Sequence, residues 1–279
     1  MRTGEPSRTA LAAASHWAAH QIFEGGRLFA DPLAVRILGE DGEEMARRSA
    51  ERPHARRMRI FIAVRSRFAE TALASAVESG VRQLVVLGAG LDTFAYRSPL
   101  APRLRIFEVD HPVTQAWKKA RLEAAGISAP ESLVYAPVDF SRQSLAGGLG
   151  AAGFDSSART FLTWLGVVPY LEKPAIESTL RFVGGLAGGA QIVFDYGDPP
   201  ETLPAEIREV YRERAARVAE LGEPWLTFFE PEELQRVLLA AGFSRVEDLG
   251  PREIAERYFP GRAAEAPSRG GHVVLASTI

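Results

Sequence analysis

Between residues 83 and 194 short apolar runs alternate with helical stretches, and this alternation leaves few folds open. The runs fall at 83–87, 104–109, 133–138, 160–165 and 191–194. Each has the length and apolar character of a strand buried on both faces. Helical stretches at 112–125, about 141–150 and 174–187 separate them. Strands joined through helices need right-handed crossovers, hence an open parallel sheet. The end of the chain differs. Helices fit 204–221, the segment from Phe229-Glu230-Pro231 to Gly242, and 251–259. Runs at 243–249 and 272–276 flank the last of these, which suits an antiparallel closing pair and brings the strand count to seven. Residues 1–80 read as helical. Ser7 caps a first helix, Asp31 and Pro32 open a second, and a long one runs from about Pro53 to Ser79 on Met58, Phe61, Ile62, Val64, Phe68, Leu73 and Val77. Gly80 stops it. Glycine- and proline-rich patches at 147–153, 197–204 and 260–271 read as loops and not as a linker. The expected organisation is one domain, with 1–80 as a helical cap and 81–279 as the sheet core.

Bulk properties exclude several classes. With 46% hydrophobic and 24% charged residues the chain has material for a sizeable core. A net charge of -2 gives no global basic field for nucleic acid or an anionic membrane. No run of about 18 apolar residues suggests a membrane span. Arg8, His16 and His20 break up the N-terminal segment, so a signal peptide is not expected. The absence of cysteine removes disulfides, thiolate metal sites and cysteine nucleophiles, and fits a cytoplasmic setting. No His/Asp/Glu spacing matches a metal site, and neither a nucleophile elbow nor a phosphate loop occurs.

The local signal that carries chemistry is VVLGAGLDTFAYR at 85–97. Gly88-Ala89-Gly90 closes a buried strand, where glycine permits a tight turn and close approach of a ligand to the backbone. Asp110 follows Gly90 by 20 positions, at the end of the next strand in Glu108-Val109-Asp110. A carboxylate there can accept both hydroxyls of a ribose, although the same groups could cap the helix that begins near His111-Pro112. A third acidic strand end, Asp139, precedes Phe140; it suits an adenine amino group and equally an N-cap for the helix after Ser141. A dinucleotide and S-adenosylmethionine share this geometry. The dinucleotide fingerprint asks for a small third residue, where this chain has Asp92-Thr93. A carboxylate beside two phosphates is repelled, whereas it suits the sulfonium and ammonium of S-adenosylmethionine.

These stretches, with SRTAL (7–11), DPLA (31–34), VRSRF (64–68), FEVDHP (107–112), VDF (138–140), TWLGVVPYL (163–171), VFDYGDPP (193–200), FEPEEL and the closing HVVLA, resemble the leucine carboxyl methyltransferase-like family. The resemblance implies a class I methyltransferase, Rossmann-like α/β fold: a mostly parallel seven-stranded sheet with an antiparallel C-terminal strand and an N-terminal helical lid. It implies S-adenosylmethionine as cofactor, with Gly88 and Gly90 at its methionine and ribose, Asp110 together with Glu108 on the ribose, and Asp139 and Phe140 on the adenine, while Asp92 joins the cofactor candidates through its charge. Arg65 matches an arginine that takes the cofactor carboxylate; Arg67, two residues on, is the competing choice. The acceptor would be a small molecule methylated on oxygen, in a pocket with Trp164, Tyr170, Asp195 and Tyr196. An ionised carboxylate acceptor needs no base, whereas a phenol or alcohol does, and no histidine stands out as one. Leu165 departs from the family pattern, which carries an acid in a Trp-x-Glu-Gly segment. That departure keeps a cofactor-binding but inactive protein open as an alternative, as the Gly90–Asp110 spacing keeps open an NAD-dependent oxidoreductase.

Overall fold

The computed structural model describes residues 7–52, 54–140 and 142–279. Pro53, where the long helix was expected to start, and Ser141, after which a helix capped by Asp139 was expected, lie outside the described residues. Seven strands form one sheet: β1 (Gln83–Leu87), β2 (Arg105–Asp110), β3 (Leu133–Pro137), β4 (Thr160–Trp164), β5 (Ala190–Gly197), β6 (Arg245–Leu249) and β7 (Gly271–Ser277). Their order is β3-β2-β1-β4-β5-β7-β6. The first five run parallel, and β7 is antiparallel to both β5 and β6. The chain is a class I methyltransferase fold of the α/β type. Its order reverses between β1 and β4, and open α/β sheets bind ligands at such a switch point, outside the carboxyl ends of the strands.

Ten helices are described: α1 (Arg8–Glu24), α2 (Gly42–Glu51), α3 (Ala55–Glu78), α4 (Phe94–Arg97), α5 (Pro112–Ala124), α6 (Leu145–Ala151), α7 (Lys173–Gly184), α8 (Ala205–Glu220), α9 (Pro231–Ala240) and α10 (Pro251–Tyr258). Alternation along the strands divides the core. Val85, Leu87, Phe107, Val109 and Leu162 pack with Ile176 and Leu180 of α7 and Leu234 and Leu238 of α9. Leu84, Val86, Ile106 and Phe161 face the other way, onto Phe68, Leu73 and Val77 of α3. So α3, read from sequence as part of a cap, covers one face of the sheet. The cap proper is smaller. Ala14, Trp17, Ala18 and Ala19 of α1 form a third apolar group with Ile37, Leu38 and Ala46.

Local chemistry sets the boundaries. The Ser7 side chain accepts from the Ala10 amide and caps α1 as expected. Asp31 instead closes a turn, accepting from the Leu33 amide at 3.0 Å, and only a 3-10 segment follows at Arg36–Leu38. Ser144 caps α6, later than the sequence suggested. Helix α2 falls within the stretch read as helical but was not singled out, because the face it packs inward is made of small residues with Met45: Gly42, Ala46, Ser49 and Ala50.

Candidate cofactor and acceptor site

The turn after β1 is built by two glycines in the left-handed region, Gly88 at φ 67° and Gly90 at φ 46°. The amides of Gly88 and Ala89 both donate to the Val109 carbonyl, at 2.8 and 3.1 Å, which draws the turn against the end of β2. There Asp110 completes the join. Its Oδ2 accepts from the Gly90 amide and its Oδ1 from the His111 amide, both at 2.7 Å. Burial raises the Asp110 pKa, while the two amides and the nearby Lys118 ammonium pull against it. An ionised carboxylate has about four acceptor sites, so two remain for a ligand. His111 is used locally: its Nδ1 accepts from Val113 and caps α5.

Space over the glycines is tight. A Cβ at Gly88 would stand 2.4 Å from Val167 Cγ2, and one at Gly90 would stand 3.0 Å from Ala10 Cβ. The start of α1 therefore lies directly on the turn. It is held there by Glu223, whose Oε2 accepts from Ser7 Oγ at 3.3 Å, from the Thr9 amide at 3.0 Å and from Thr9 Oγ1. Glu223 is buried. No local motif marks this role, since Glu223 lies 216 and 214 positions from Ser7 and Thr9.

Three acidic candidates find different places. Asp92 Oδ1 accepts from the Phe94 amide at 2.7 Å, so it occupies the first free amide of the four-residue α4. Glu108 points from the middle of the sheet end into a sealed ion pair with Lys118 Nζ at 2.7 Å, both side chains 1% exposed. Its Oε1 has no partner among the described residues, and burial lifts its pKa to about 7 against the pull of Lys118. Glu108 is thus sealed from solvent together with its partner. Asp139 is half-buried beyond β3, with the Arg142 guanidinium 3.7 Å away, and Phe140 is 60% exposed.

On the other side of the switch point Arg65 of α3 meets Asp195 of β5. Arg65 Nη1 donates to Asp195 Oδ2 at 2.7 Å, and the Gly166 amide donates to Oδ1 at 2.5 Å. Arg65 is buried and its neighbour Arg67 exposed, so of the two it is Arg65 that faces inward. The Arg65 guanidinium lies over Gly166 so closely that a Cβ there would be 2.6 Å from Nη2. Arg65 Nε is buried without a partner among the described residues. Tyr170 stands in the same neighbourhood. Burial raises its pKa; a hydrogen bond from Trp225 and the Arg65 charge oppose this, and Glu223 and Asp195 add to it. Trp225 also contacts Tyr211 of α8, ring centroids 5.1 Å apart.

Two expected pocket residues lie elsewhere. Trp164 is buried in the core against Phe194, at 6.2 Å. Tyr196 alternates to the face opposite Asp195 and stacks on His272 at 4.6 Å. Its hydroxyl bonds Asp248 Oδ2 at 2.6 Å, and His272 sits between Asp248 and Asp198, at 3.0 and 3.2 Å. This polar chain ties the antiparallel strands together. A second unforeseen network joins the cap to the glycine segment: Thr93 Oγ1 donates to Asp31 Oδ2 at 2.6 Å, and Arg97 links Thr93 and Asp31 to Glu70.

The sheet order and the acid-braced glycine turn define the class I methyltransferase architecture. Within it, the leucine carboxyl methyltransferase family model matches residues 10–184. The chain belongs to that family. It is 29% identical over 94% of both chains to a Bacillus subtilis protein named "Putative S-adenosyl-L-methionine-dependent methyltransferase YktD". A Mycolicibacterium smegmatis protein named "Putative S-adenosyl-L-methionine-dependent methyltransferase" is 31% identical, over 75% of this chain and 70% of that one. Among solved structures, a DUF574 family protein from Streptomyces avermitilis shares the fold, with a TM-score of 0.54 and 18% identity, covering 95% of this chain and 97% of the other.

Proposed function

We propose that this protein is an S-adenosylmethionine-dependent methyltransferase that methylates a carboxylate or hydroxyl oxygen of a small molecule. The observation that carries the reading is the double use of carboxylates at the glycine turn. Asp110 braces Gly90 and keeps acceptor sites for a diol. Asp92 meanwhile takes the amide of Phe94 and leaves a negative charge where a pyrophosphate would have to sit. That arrangement disfavours a dinucleotide and suits a cationic, phosphate-free adenosine compound. One group that fits such a compound is Arg65 Nε, a buried donor with no acceptor among the described residues.

When bound, the cofactor supplies a methyl group already activated on sulfonium. The protein's task is then alignment, worth about 7–11 kcal/mol in well-oriented reactions. Asp110 holds the ribose hydroxyls, Asp139 and Phe140 receive the adenine, and Arg65 Nε takes the carboxylate. Tyr170, its pKa raised, stays a phenol at neutral pH and serves as a hydrogen-bond donor to the acceptor. Leu165 packs into the apolar layer beside α3, yet a carboxylate still stands at that turn, because Asp195 reaches the Gly166 amide. This supports an active enzyme over a bare binding protein. The α1 start acts as a lid over the turn, and the cap and sheet work as one unit.

Calorimetric titration tests the reading. S-adenosylhomocysteine binds with a micromolar-range Kd and NAD does not; binding of NAD alone would overturn it. Turnover on a panel of carboxylic acids and phenols, read by methyl transfer, identifies the oxygen.

A further inference from the structure

We propose that the cleft between the end of α1, the first turns of α3 and the end of α10 is a second ligand site, which seats the ring of a phenol on apolar walls and takes its hydroxyl at the buried imidazole of His20. The cleft encloses about 510 Å³, within the range of small-molecule sites. Phe23 of α1, Leu28 in the turn that follows, Ile60 of α3, and Tyr258 and Phe259 at the end of α10 supply its apolar lining. Phe23 is 49% exposed and the other four are half-buried, so this lining is open to a ligand as it stands. His20 and Glu24 line the same cleft, one turn apart on α1. Ala10, which lies over the Gly90 turn, precedes His20 by ten residues, about 15 Å along the helix. The cleft is therefore separate from the cofactor crevice.

His20 is the polar centre of this cleft. It is 1% exposed, and its Nδ1 lies 3.3 Å from Glu24 Oε2. Glu24 is ionised, since Arg59 gives it Nε and Nη2 at 2.7 and 2.6 Å. A carboxylate only accepts, so the imidazole proton stands on Nδ1 and the lone pair on Nε2. Burial lowers the His20 pKa against the pull of Glu24, in keeping with a neutral ring. Nε2 is buried and has no partner among the described residues. A buried acceptor left unused costs stability, and what this one lacks is a donor. The charged groups of the cleft are otherwise engaged: Glu24 is held by Arg59 and stands 3.8 Å from Arg56, while Arg27 and Arg56 are exposed to solvent. These features select an uncharged molecule, apolar over most of its surface, with one hydroxyl to donate. A flat ring suits contact with the rings of Phe23, Tyr258 and Phe259. A phenol meets each requirement. Because α1 starts on the glycine turn, a molecule held at its far end joins the lid to α3 and α10.

The test is NMR of the His20 ring nitrogens in the full chain at neutral pH, titrated separately with phenol and with anisole. Phenol should move the Nε2 resonance saturably and leave Nδ1 nearly in place. Anisole has the same ring and no donor, and should bind about tenfold more weakly. His20→Phe removes the acceptor and should abolish the preference for phenol over anisole. Phe23→Ala, at an exposed position, should weaken phenol about two- to tenfold through the lost ring contact. Circular dichroism checks that each variant is folded; should His20→Phe fail to fold, the two titrations of the unaltered chain decide the matter. An Nε2 signal that stays still at high phenol, or equal affinities for phenol and anisole, overturns the proposal. S-adenosylhomocysteine titrated into the same samples tests the cofactor reading separately, since the two sites share no residue and either can fail alone.

Discussion

The Gly90 amide and the Asp110 carboxylate are joined at 2.7 Å across 20 positions of sequence, so the glycine turn and the acidic strand end form a single rigid unit. Asp110→Asn would face both the Gly90 and His111 amides with a group that carries its own N–H donors. One of the two backbone bonds is lost, and with it the ionic partner for a diol. Hydrogen bonds to charged groups are worth about 1.5–3 kcal/mol, so S-adenosylhomocysteine affinity should fall by about 10- to 100-fold in calorimetry. Undiminished affinity would remove Asp110 from the site.

At Gly88, substitution by alanine combines a left-handed backbone with a Cβ 2.4 Å from Val167 Cγ2. Strain of this kind costs about 1–3 kcal/mol. The expected loss in Tm is roughly 2–10 °C by thermal denaturation. The same change at Gly25, also left-handed but with open space around it, should cost less, which separates the steric part from the conformational part.

Arg65 and Asp195 are both buried, and breaking such a pair from one side leaves an uncompensated charge. Arg65→Met and Asp195→Leu should each lower stability by about 3–5 kcal/mol, and the double variant by clearly less than the sum. Denaturant unfolding of the four proteins measures the coupling; strict additivity would show that the pair is not coupled.

His272 predicts a pH dependence. Burial opposes its charge, but hydrogen bonds with Asp198 and Asp248 prevail and lift its pKa to about 9. A group raised in the folded state stabilises fully below its unfolded pKa, about 6.5, and loses that contribution as pH climbs through the folded value. The Tm should therefore decline between about pH 6.5 and 9, and His272→Gln should flatten that decline while lowering the Tm at pH 6. An unchanged slope in the variant would assign the effect to another group.

Opening of the lid is measurable at Thr9. Glu223→Gln keeps the size of the latch but weakens acceptance from Ser7, the Thr9 amide and Thr9 Oγ1. Amide exchange at Thr9 and Ala10 should quicken by about 5- to 150-fold, the equivalent of 1–3 kcal/mol, while β1 amides stay protected. Equal exchange in both proteins would mean that Glu223 does not hold the helix.

What was readable in advance followed local physics. The runs that became β1 to β5 are apolar on both faces, so their identity needs no knowledge of neighbours, and Ser7, Gly80 and Gly242 mark helix ends by rules confined to one turn. Gly88, Gly90 and Asp110 were visible because residue type and spacing carry the signal. Arg65 and Asp195 were each singled out, but their pairing spans 130 positions and leaves no trace in either segment. Trp164 and Tyr196 show the opposite failure: an aromatic residue at a strand end looks the same in sequence whether it lines a pocket or fills a core. Helix α2 was not singled out because its inward face is built mostly of small residues, and Glu223 because it lies in no motif at all.

The hold of Glu223 on Thr9, 214 positions upstream, also orders events during synthesis. The first helix leaves the ribosome long before its latch exists, and β1, on whose turn it rests, follows it by some seventy residues. Until the segment beyond α8 is made, the head of the chain lacks the carboxylate that fixes it. Helix α1 is thus secured only after the segment beyond α8 has been made, and a chain ending before residue 223 would lack the carboxylate that fastens this door above the glycine turn.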